Sequence, residues 1–355
     1  MEKELWKGNE AVAEAAIRAG CRHFFGYPIT PQNEIPEYLA KHLPEVGGCF
    51  LQAESEVAAI NMVYGAAGCG KRVMTSSSSP GISLKQEGIT YLCGAELPCV
   101  IVNMMRGGPG LGTIQPAQGD YYQATRGGGN GDYRHLVYAP ATIQEAADYV
   151  RMAFDVADIY RNPVMVLADG MIGQMMEAIE WHDVPKRMLP SKPWATTGTH
   201  GGRQPNIINS LYIDPNACAE HNQRLAEKYH AMEENETLWE ETDANGCEIL
   251  FVAYGTPSRI AKAAIRQLSK EGIKAGLFRP ITLWPFPKAA FEKVEKHVKT
   301  FISVELSMGQ MIEDVQLATK CRKPVLLCNR AGGMIPSADM ILDAILKADK
   351  NGGAE

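Results

Sequence analysis

The sequence predicts an α/β protein of two doubly wound domains joined by a long connector, and three observations carry that prediction. Apolar runs of strand length (CVIVNMM, PVMVLAD, EILFVA) alternate with helical stretches, as parallel βαβ units require. A length of 355 residues leaves room for two such units. Between them the alternation gives way to Pro-, Gly- and Ser/Thr-rich sequence. The expected division is a first domain over 1–183, a connector arm over 184–246 and a smaller second domain over 247–355.

In the first domain, NEAVAEAAIRAG has the 3.6-residue period of a helix and stops at a glycine, after which HFFGYP reads as a short strand entering a turn. ESEVAAINMVYGAAGCG is the next helix, and RVMTSSSSPG a strand running into a loop. LPCVIVNMMRGGPG reads as a buried strand with a glycine-rich loop, and HLVYAPAT as another strand. TIQEAADYVRMAFDVADIYR is a long amphipathic helix and NPVMVLADG a further strand. The connector opens with WHDVPKRMLPSKPWATTGTHGG and ends in a polar helical stretch, DPNACAEHNQRLAEKYHAMEENE; it is expected to wrap a partner or a second copy. CEILFVAYGTPSRIAKAAIRQL starts the second domain as strand, turn and helix, with further strands in KAGLFRPITLWPFP, KTFISVELSMGQM and PVLLCNRAG.

Composition excludes several classes. A net charge of −6 argues against nucleic-acid or anionic-membrane binding, both of which need a basic surface. No apolar run is long enough to span a bilayer, and the acidic N-terminus lacks a signal-peptide core, so a cytoplasmic protein is expected. The nine cysteines form no C-x-x-C pair, which argues for buried free thiols and against a zinc site or iron–sulfur cluster on this chain. No metal ligand is assigned.

In an open parallel sheet, ligands gather at the carboxyl ends of the strands. Four unusual loops follow strands here: GYPITPQNE, the QAESE turn, TSSSSPGIS and RGGPGLG. Each has a plain structural use. Thr30 could cap a helix, acids at a helix start suit its dipole, and PG builds tight turns. RGGPGLG and the later GGGNGD lack the features of a P-loop or a Rossmann fingerprint. Arg106 closes a buried strand, where its guanidinium needs an anion: a substrate carboxylate, or a salt bridge to Glu54, Glu56 or Asp120.

The four motifs, in this order and spacing, resemble those of the 2-oxoacid:ferredoxin oxidoreductases, and FRPITLWPFP and ISVELSMGQM extend the resemblance into the second domain. It implies a thiamine-diphosphate pyrimidine-binding domain followed by a smaller transketolase-C-terminal-like domain. GGNGDYRHLVYAPATIQEAADYV looks most like the branched-chain members, which act on 3-methyl-2-oxobutanoate (2-ketoisovalerate). The resemblance assigns Glu54, third residue of QAESE, to N1′ of the cofactor's aminopyrimidine, favouring the tautomer whose N4′ takes the proton of the thiazolium C2. Glu56 is read as a capping or supporting acid, although the two roles could be exchanged. Thr30 would approach the substrate carbonyl and Arg106 bind its carboxylate, while Pro28, Ile29, Ser77, Ser78, Pro80 and Gly81 would line the cofactor pocket.

The chain has GDY twice, at Gly119–Tyr121 and Gly131–Tyr133, but no G-D-G…N motif for Mg2+ and diphosphate. The resemblance therefore implies a thiamine-diphosphate-binding partner subunit that holds those groups. It also implies a ferredoxin-like subunit with 4Fe–4S clusters, a further small subunit, ferredoxin as electron acceptor and coenzyme A as co-substrate. The chain alone is expected to be inactive. Met104, Met105, Leu111 and Ile114 would suit a branched apolar substrate. Arg126 and Arg134 are cations that 2-oxoglutarate could use; pyruvate, an arylpyruvate, or a non-catalytic assembly role are the other readings.

Overall fold

The computed structural model describes residues 3–185, 187–294 and 296–342. The extreme ends of the two expected domains, 1–2 and 343–355, lie outside the described residues. The first unit runs β1 (Glu4–Lys7), α1 (Gly8–Arg18), β2 (His23–Gly26), α2 (Glu34–His42), β3 (Cys49–Gln52), α3 (Glu56–Gly68), β4 (Val73–Ser77), α4 (Ser79–Gly94) and β5 (Cys99–Met105). After a long loop come α5 (Tyr121–Arg126), β6 (Leu136–Tyr138), α6 (Ile143–Tyr160), β7 (Pro163–Asp169), α7 (Gly170–Gln174) and β8 (Met176–Ile179). The connector supplies α8 (Pro215–Asn235) and β9 (Trp239–Thr242). The second unit adds β10 (Ile249–Val252), α9 (Gly255–Lys270), β11 (Ala275–Pro280), β12 (Thr282–Trp284), α10 (Lys288–Val294), β13 (Thr300–Glu305), α11 (Met311–Ala318) and β14 (Val325–Asn329).

The expected α/β class holds in both units. The first sheet has seven strands in the order β12-β6-β7-β5-β4-β2-β3, parallel except where β12 runs antiparallel to β6. Every residue of β5 and β7 is buried, which explains why their sequences are apolar without alternation. Helices α1 and α6 seal one face of this sheet, and α3 and α4 the other, giving two cores. The second sheet has the order β14-β13-β10-β11-β9, parallel but for β9. No helix among the described residues is long and apolar enough to cross a membrane.

Two strands lie in the sheet opposite to the one their sequence position suggests. β9, from the connector, pairs with β11 of the second sheet, and β12, from the second unit, pairs with β6 of the first. The connector is also less of a free arm than its composition implies. Leu225, Tyr229 and Met232 of α8 are buried in the first unit's core, and a His221 ring nitrogen lies 2.7 Å from the Gly94 carbonyl oxygen. Upstream, the Thr196 backbone N–H donates to the Gly68 carbonyl at the end of α3 (2.9 Å). Met188, Ile207, Leu211 and Ile213 stay exposed.

Candidate functional site

Strand order locates the site. The chain moves from β2 outward to β3, then returns to the other side of β2 for β4 and β5. That reversal opens a crevice beyond the carboxyl ends of β2 and β4, the usual ligand position in such sheets. The loop carrying Thr30 leaves β2 there, and the Ser77–Gly81 turn leaves β4.

The two glutamates part company here. Ser55 caps α3, its hydroxyl accepting from the Ala58 backbone N–H (3.2 Å), so the helix begins at Glu56. Glu56 is 7% exposed and turned inward against α4, whereas Glu54 precedes the helix and is exposed. Gly81 permits this approach: a Cβ there would strike the Ser77 hydroxyl and stand 2.7 Å from Glu56 Oε1. Ser77 and Ser78 are fully buried, and neither hydroxyl has a protein partner. A buried carboxylate beside two unpartnered hydroxyls is a donor set suited to a polar aromatic ring such as an aminopyrimidine. Glu54, the sequence-expected residue, is not among these contacts. Pro28 is exposed and Ile29 half-buried on the loop after β2, and Pro80 is half-buried in the first turn of α4.

Sequence reading gave no role to Lys85, yet it lies behind this group. The lysine is fully buried on α4, donating to Thr75 Oγ1 (2.7 Å) and to the Ser76 carbonyl (3.0 Å). Burial pushes its ammonium pKa down to about 7, with the Glu56 carboxylate the main opposing influence. The signal was a lone lysine inside the otherwise apolar and polar-neutral run GISLKQ, and buried lysines are rare without a partner. Gln32, also fully buried, accepts from Ser76 Oγ (2.5 Å) and ties the β2 loop to β4.

Thr30 and Arg106 form the second half of the site. Arg106 is half-buried; it donates to the Thr30 carbonyl (2.9 Å) and to the Leu111 carbonyl (3.2 Å), and its Nε is buried without a partner. No ion pair to Glu54, Glu56 or Asp120 forms among the described residues. Asp120 instead accepts from Ser79 Oγ (2.6 Å) and Asn103 Nδ2 (2.9 Å), and burial raises its pKa despite those bonds. Thr30 is not a helix cap, because the N-cap position of α2 falls to Asn33.

Beside Thr30 opens a cavity of about 480 Å³, walled by Pro31, Ile114, Pro116, Met171 and Met175, with Glu34 and Gln174 at its polar side. Of the four apolar residues expected to face substrate, Ile114 lines this cavity, Leu111 is exposed, and Met104 and Met105 are sealed in the sheet's cores. Arg126 is engaged by Glu313 (2.9 Å) and Asp314 (3.5 Å), and Arg134 donates to the Tyr133 carbonyl. Among the described residues no cluster of three or more His, Cys, Asp or Glu side chains could hold a metal.

Comparison with known proteins places the chain in a family. The thiamine-diphosphate-binding family model of pyruvate flavodoxin/ferredoxin oxidoreductases matches residues 14–241, and the model of pyruvate:ferredoxin oxidoreductase core domain II matches residues 247–341. The ketoisovalerate oxidoreductase subunit VorB of Methanothermobacter marburgensis is 51% identical, over 94% of this chain and 94% of its own length. The 2-oxoglutarate synthase subunit KorA of Methanocaldococcus jannaschii is 36% identical over 98% of this chain and 100% of its own length. Among solved structures, a 2-oxoglutarate:ferredoxin oxidoreductase from Magnetococcus marinus, with 2-oxoglutarate, coenzyme A and succinyl-CoA bound, superposes with a TM-score of 0.86 at 26% identity; the match covers 98% of this chain but only 65% of that one. Two consecutive family models and full-length relatives at up to half identity lead to one conclusion: the chain belongs to the pyruvate flavodoxin/ferredoxin oxidoreductase family, the 2-oxoacid:ferredoxin oxidoreductases.

Proposed function

We propose that the chain is the pyrimidine-binding subunit of a cytoplasmic, coenzyme-A-dependent 2-oxoacid:ferredoxin oxidoreductase acting on 3-methyl-2-oxobutanoate. The 2-oxoacid loses CO2, its acyl group passes to coenzyme A, and two electrons leave singly for ferredoxin through 4Fe–4S clusters on a partner subunit. The observation that carries this reading is Arg106: a cation without a carboxylate partner among the described residues, held by two backbone carbonyls beside Thr30 and the apolar cavity. Such a guanidinium suits the substrate carboxylate, and the Thr30 hydroxyl the adjacent keto oxygen.

The aminopyrimidine of thiamine diphosphate fits the Glu56, Ser77, Ser78 and Gly81 cradle, and we assign to Glu56 the role first given to Glu54. When bound, the cofactor supplies the nucleophilic thiazolium carbon and the electron sink for decarboxylation. Glu56 exchanges a proton with the pyrimidine N1′, and its burial keeps water from competing for that proton. Gly81 leaves the space for the carboxylate to reach the ring. Mg2+ and the diphosphate belong to the partner subunit, in keeping with the missing G-D-G motif.

Side-chain preference follows from the cavity lining. Its aliphatic and thioether walls suit an isopropyl group, and Glu34 is the only charged residue in the lining among the described residues. A second carboxylate, as in 2-oxoglutarate, would meet no cation among those lining residues, the nearby Lys7 being paired with Glu34 (2.5 Å).

The test is native isolation of the tagged chain with its partners under anaerobic conditions, followed by viologen reduction with each 2-oxoacid. Coenzyme-A-dependent reduction fastest with 3-methyl-2-oxobutanoate is expected, and a preference for 2-oxoglutarate would overturn the substrate assignment. In the same complex Glu56→Gln should lower kcat on the order of a hundredfold or more, while Glu54→Gln stays near wild type. The reverse pattern would return the role to Glu54.

A further inference from the structure

The second unit contributes no group to the chemistry above, yet it grips the loop that follows Arg106. Its central residue is Glu305, 1% exposed at the end of β13. That carboxylate accepts from Ser303 Oγ (2.8 Å), Ser307 Oγ (2.7 Å) and the backbone N–H groups of Gln310 (2.8 Å), Met311 (3.0 Å) and Ile312 (2.8 Å). Five charge-assisted bonds fix the start of α11 and leave Gln310 little freedom. The Gln310 side chain then bonds across to the first unit twice, donating to the Gly119 carbonyl (2.8 Å) and accepting from the Tyr122 N–H (2.8 Å).

Between those two residues lies Asp120, whose carboxylate accepts from Ser79 Oγ (2.6 Å). Ser79 Oγ in turn accepts from the backbone N–H of Arg106 (3.0 Å). A parallel link runs through Gln118, whose N–H donates to the Leu306 carbonyl (2.8 Å) while its side-chain oxygen accepts from the Leu306 N–H (3.0 Å). The loop's other end also meets the second unit, since a Cβ on Gly107 would stand 3.2 Å from the Gly333 nitrogen.

We propose that Gln310 is a positioning residue for substrate binding: through the Gly119–Tyr122 turn, Asp120 and Ser79, the second unit sets the backbone from which Arg106 reaches the 2-oxoacid carboxylate. The inference rests on the substrate role given to Arg106 above. It gives ISVELSMGQM a function that needs no contact with cofactor or coenzyme A. It also separates this segment from ordinary domain packing, because the path ends on one backbone amide of the site.

The experiment uses the assembled complex carrying Gln310→Met, which keeps the volume and removes both bonds. The apparent KM for 3-methyl-2-oxobutanoate should rise about tenfold, the equivalent of one or two lost hydrogen bonds, with kcat within about threefold of wild type. Deuterium exchange of the amides from 106 to 122 should quicken, and that of α6 should not. Ser79→Ala should raise KM by itself, and the double variant should add little, because the two changes interrupt one path. An unchanged KM with unchanged exchange would overturn the proposal, as would a fall in kcat at constant KM. Arg106→Gln is the control for the premise. If it leaves KM unaltered, the substrate role of Arg106 falls and the KM half of the inference with it, while quickened exchange in Gln310→Met would still uphold the mechanical half.

Discussion

A histidine sealed in a protein core is a liability in acid. His135 is 2% exposed, neither ring nitrogen has a partner, and burial pushes its pKa down to about 4, with the Arg134 charge adding to the effect. The folded chain therefore binds fewer protons than the unfolded one between about pH 4 and the ordinary value of 6.5. Stability from this group is fully present above that window and drains as pH falls through it, by about 3 kcal/mol in total. His135→Phe should remove this drain: the urea midpoint of the variant should change less than wild type between about pH 7.5 and about pH 5. Equal acid sensitivity in the two chains would refute the assignment. The same scale holds the plainest limit of sequence reading. Two glutamates a residue apart differ only in helix register, and the Ser55 cap sets that register. Glu56 shares its buried stripe with Ile60, Val63 and Ala67, a helical spacing present in the sequence, while Glu54 lies before the helix. Thr30 and Arg106 were readable as loop residues at strand ends, whereas the bonds of Asp120 to Ser79 and Asn103, and of Lys85 to Thr75, join segments whose meeting only the fold shows.

At the level of elements, the site depends on how closely α3 and α4 approach. Gly81 and Gly88 lie on one face of α4; the first makes room for Glu56 and the second for Ile60. A Cβ at Gly88 would overlap Ile60 Cγ2 and stand 2.6 Å from Cγ1, with Ile60 only 1% exposed. Helix propensity favours Gly88→Ala by about 1 kcal/mol, but overpacking a closed core costs about 1–3 kcal/mol. The clash should win, lowering the unfolding free energy by about 1 kcal/mol in urea titration and lowering turnover through displacement of α3. A stabilised variant would mean that Ile60 can move aside freely. Strands of this kind were easy to read, because β5 and β7 are continuous apolar runs between helices of ordinary length. The connector was harder. The 21-residue α8 was legible as a helix, but it buries only His221, Leu225, Tyr229 and Met232, so its polar composition hid its packing on the core.

Across the whole molecule, one arginine joins three segments. Arg279 on β11 is 2% exposed, bonds Glu145 of α6 with both terminal nitrogens (2.9 and 2.6 Å), and gives Nε to Glu240 of β9 (2.7 Å). Removing it would leave Glu145 without a cation and Glu240 with Lys262 alone (2.6 Å), at a cost of about 3 kcal/mol. Arg279→Met should therefore lose most of the cooperativity between units, seen as a lowered and broadened urea transition. A sharp transition at the wild-type midpoint would show the pair of carboxylates to be solvated instead. Nothing local in the sequence points to this role, since the partners of Arg279 lie more than a hundred residues away or on a strand that composition assigned to the connector.

The reciprocal placement of β9 and β12 has a bearing on descent as well as on stability. Each sheet completes its rim with a strand drawn from the other side of the boundary near Gly246. A gene divided there would yield one product with the backbone of Leu136–Tyr138 bare along an open sheet edge, and another whose Ala275–Pro280 strand had lost its outer neighbour. Bare edges recruit whatever strand they meet, so both products would be prone to self-association. An undivided chain is therefore what keeps both rims paired, whatever freedom the separate sheets suggest.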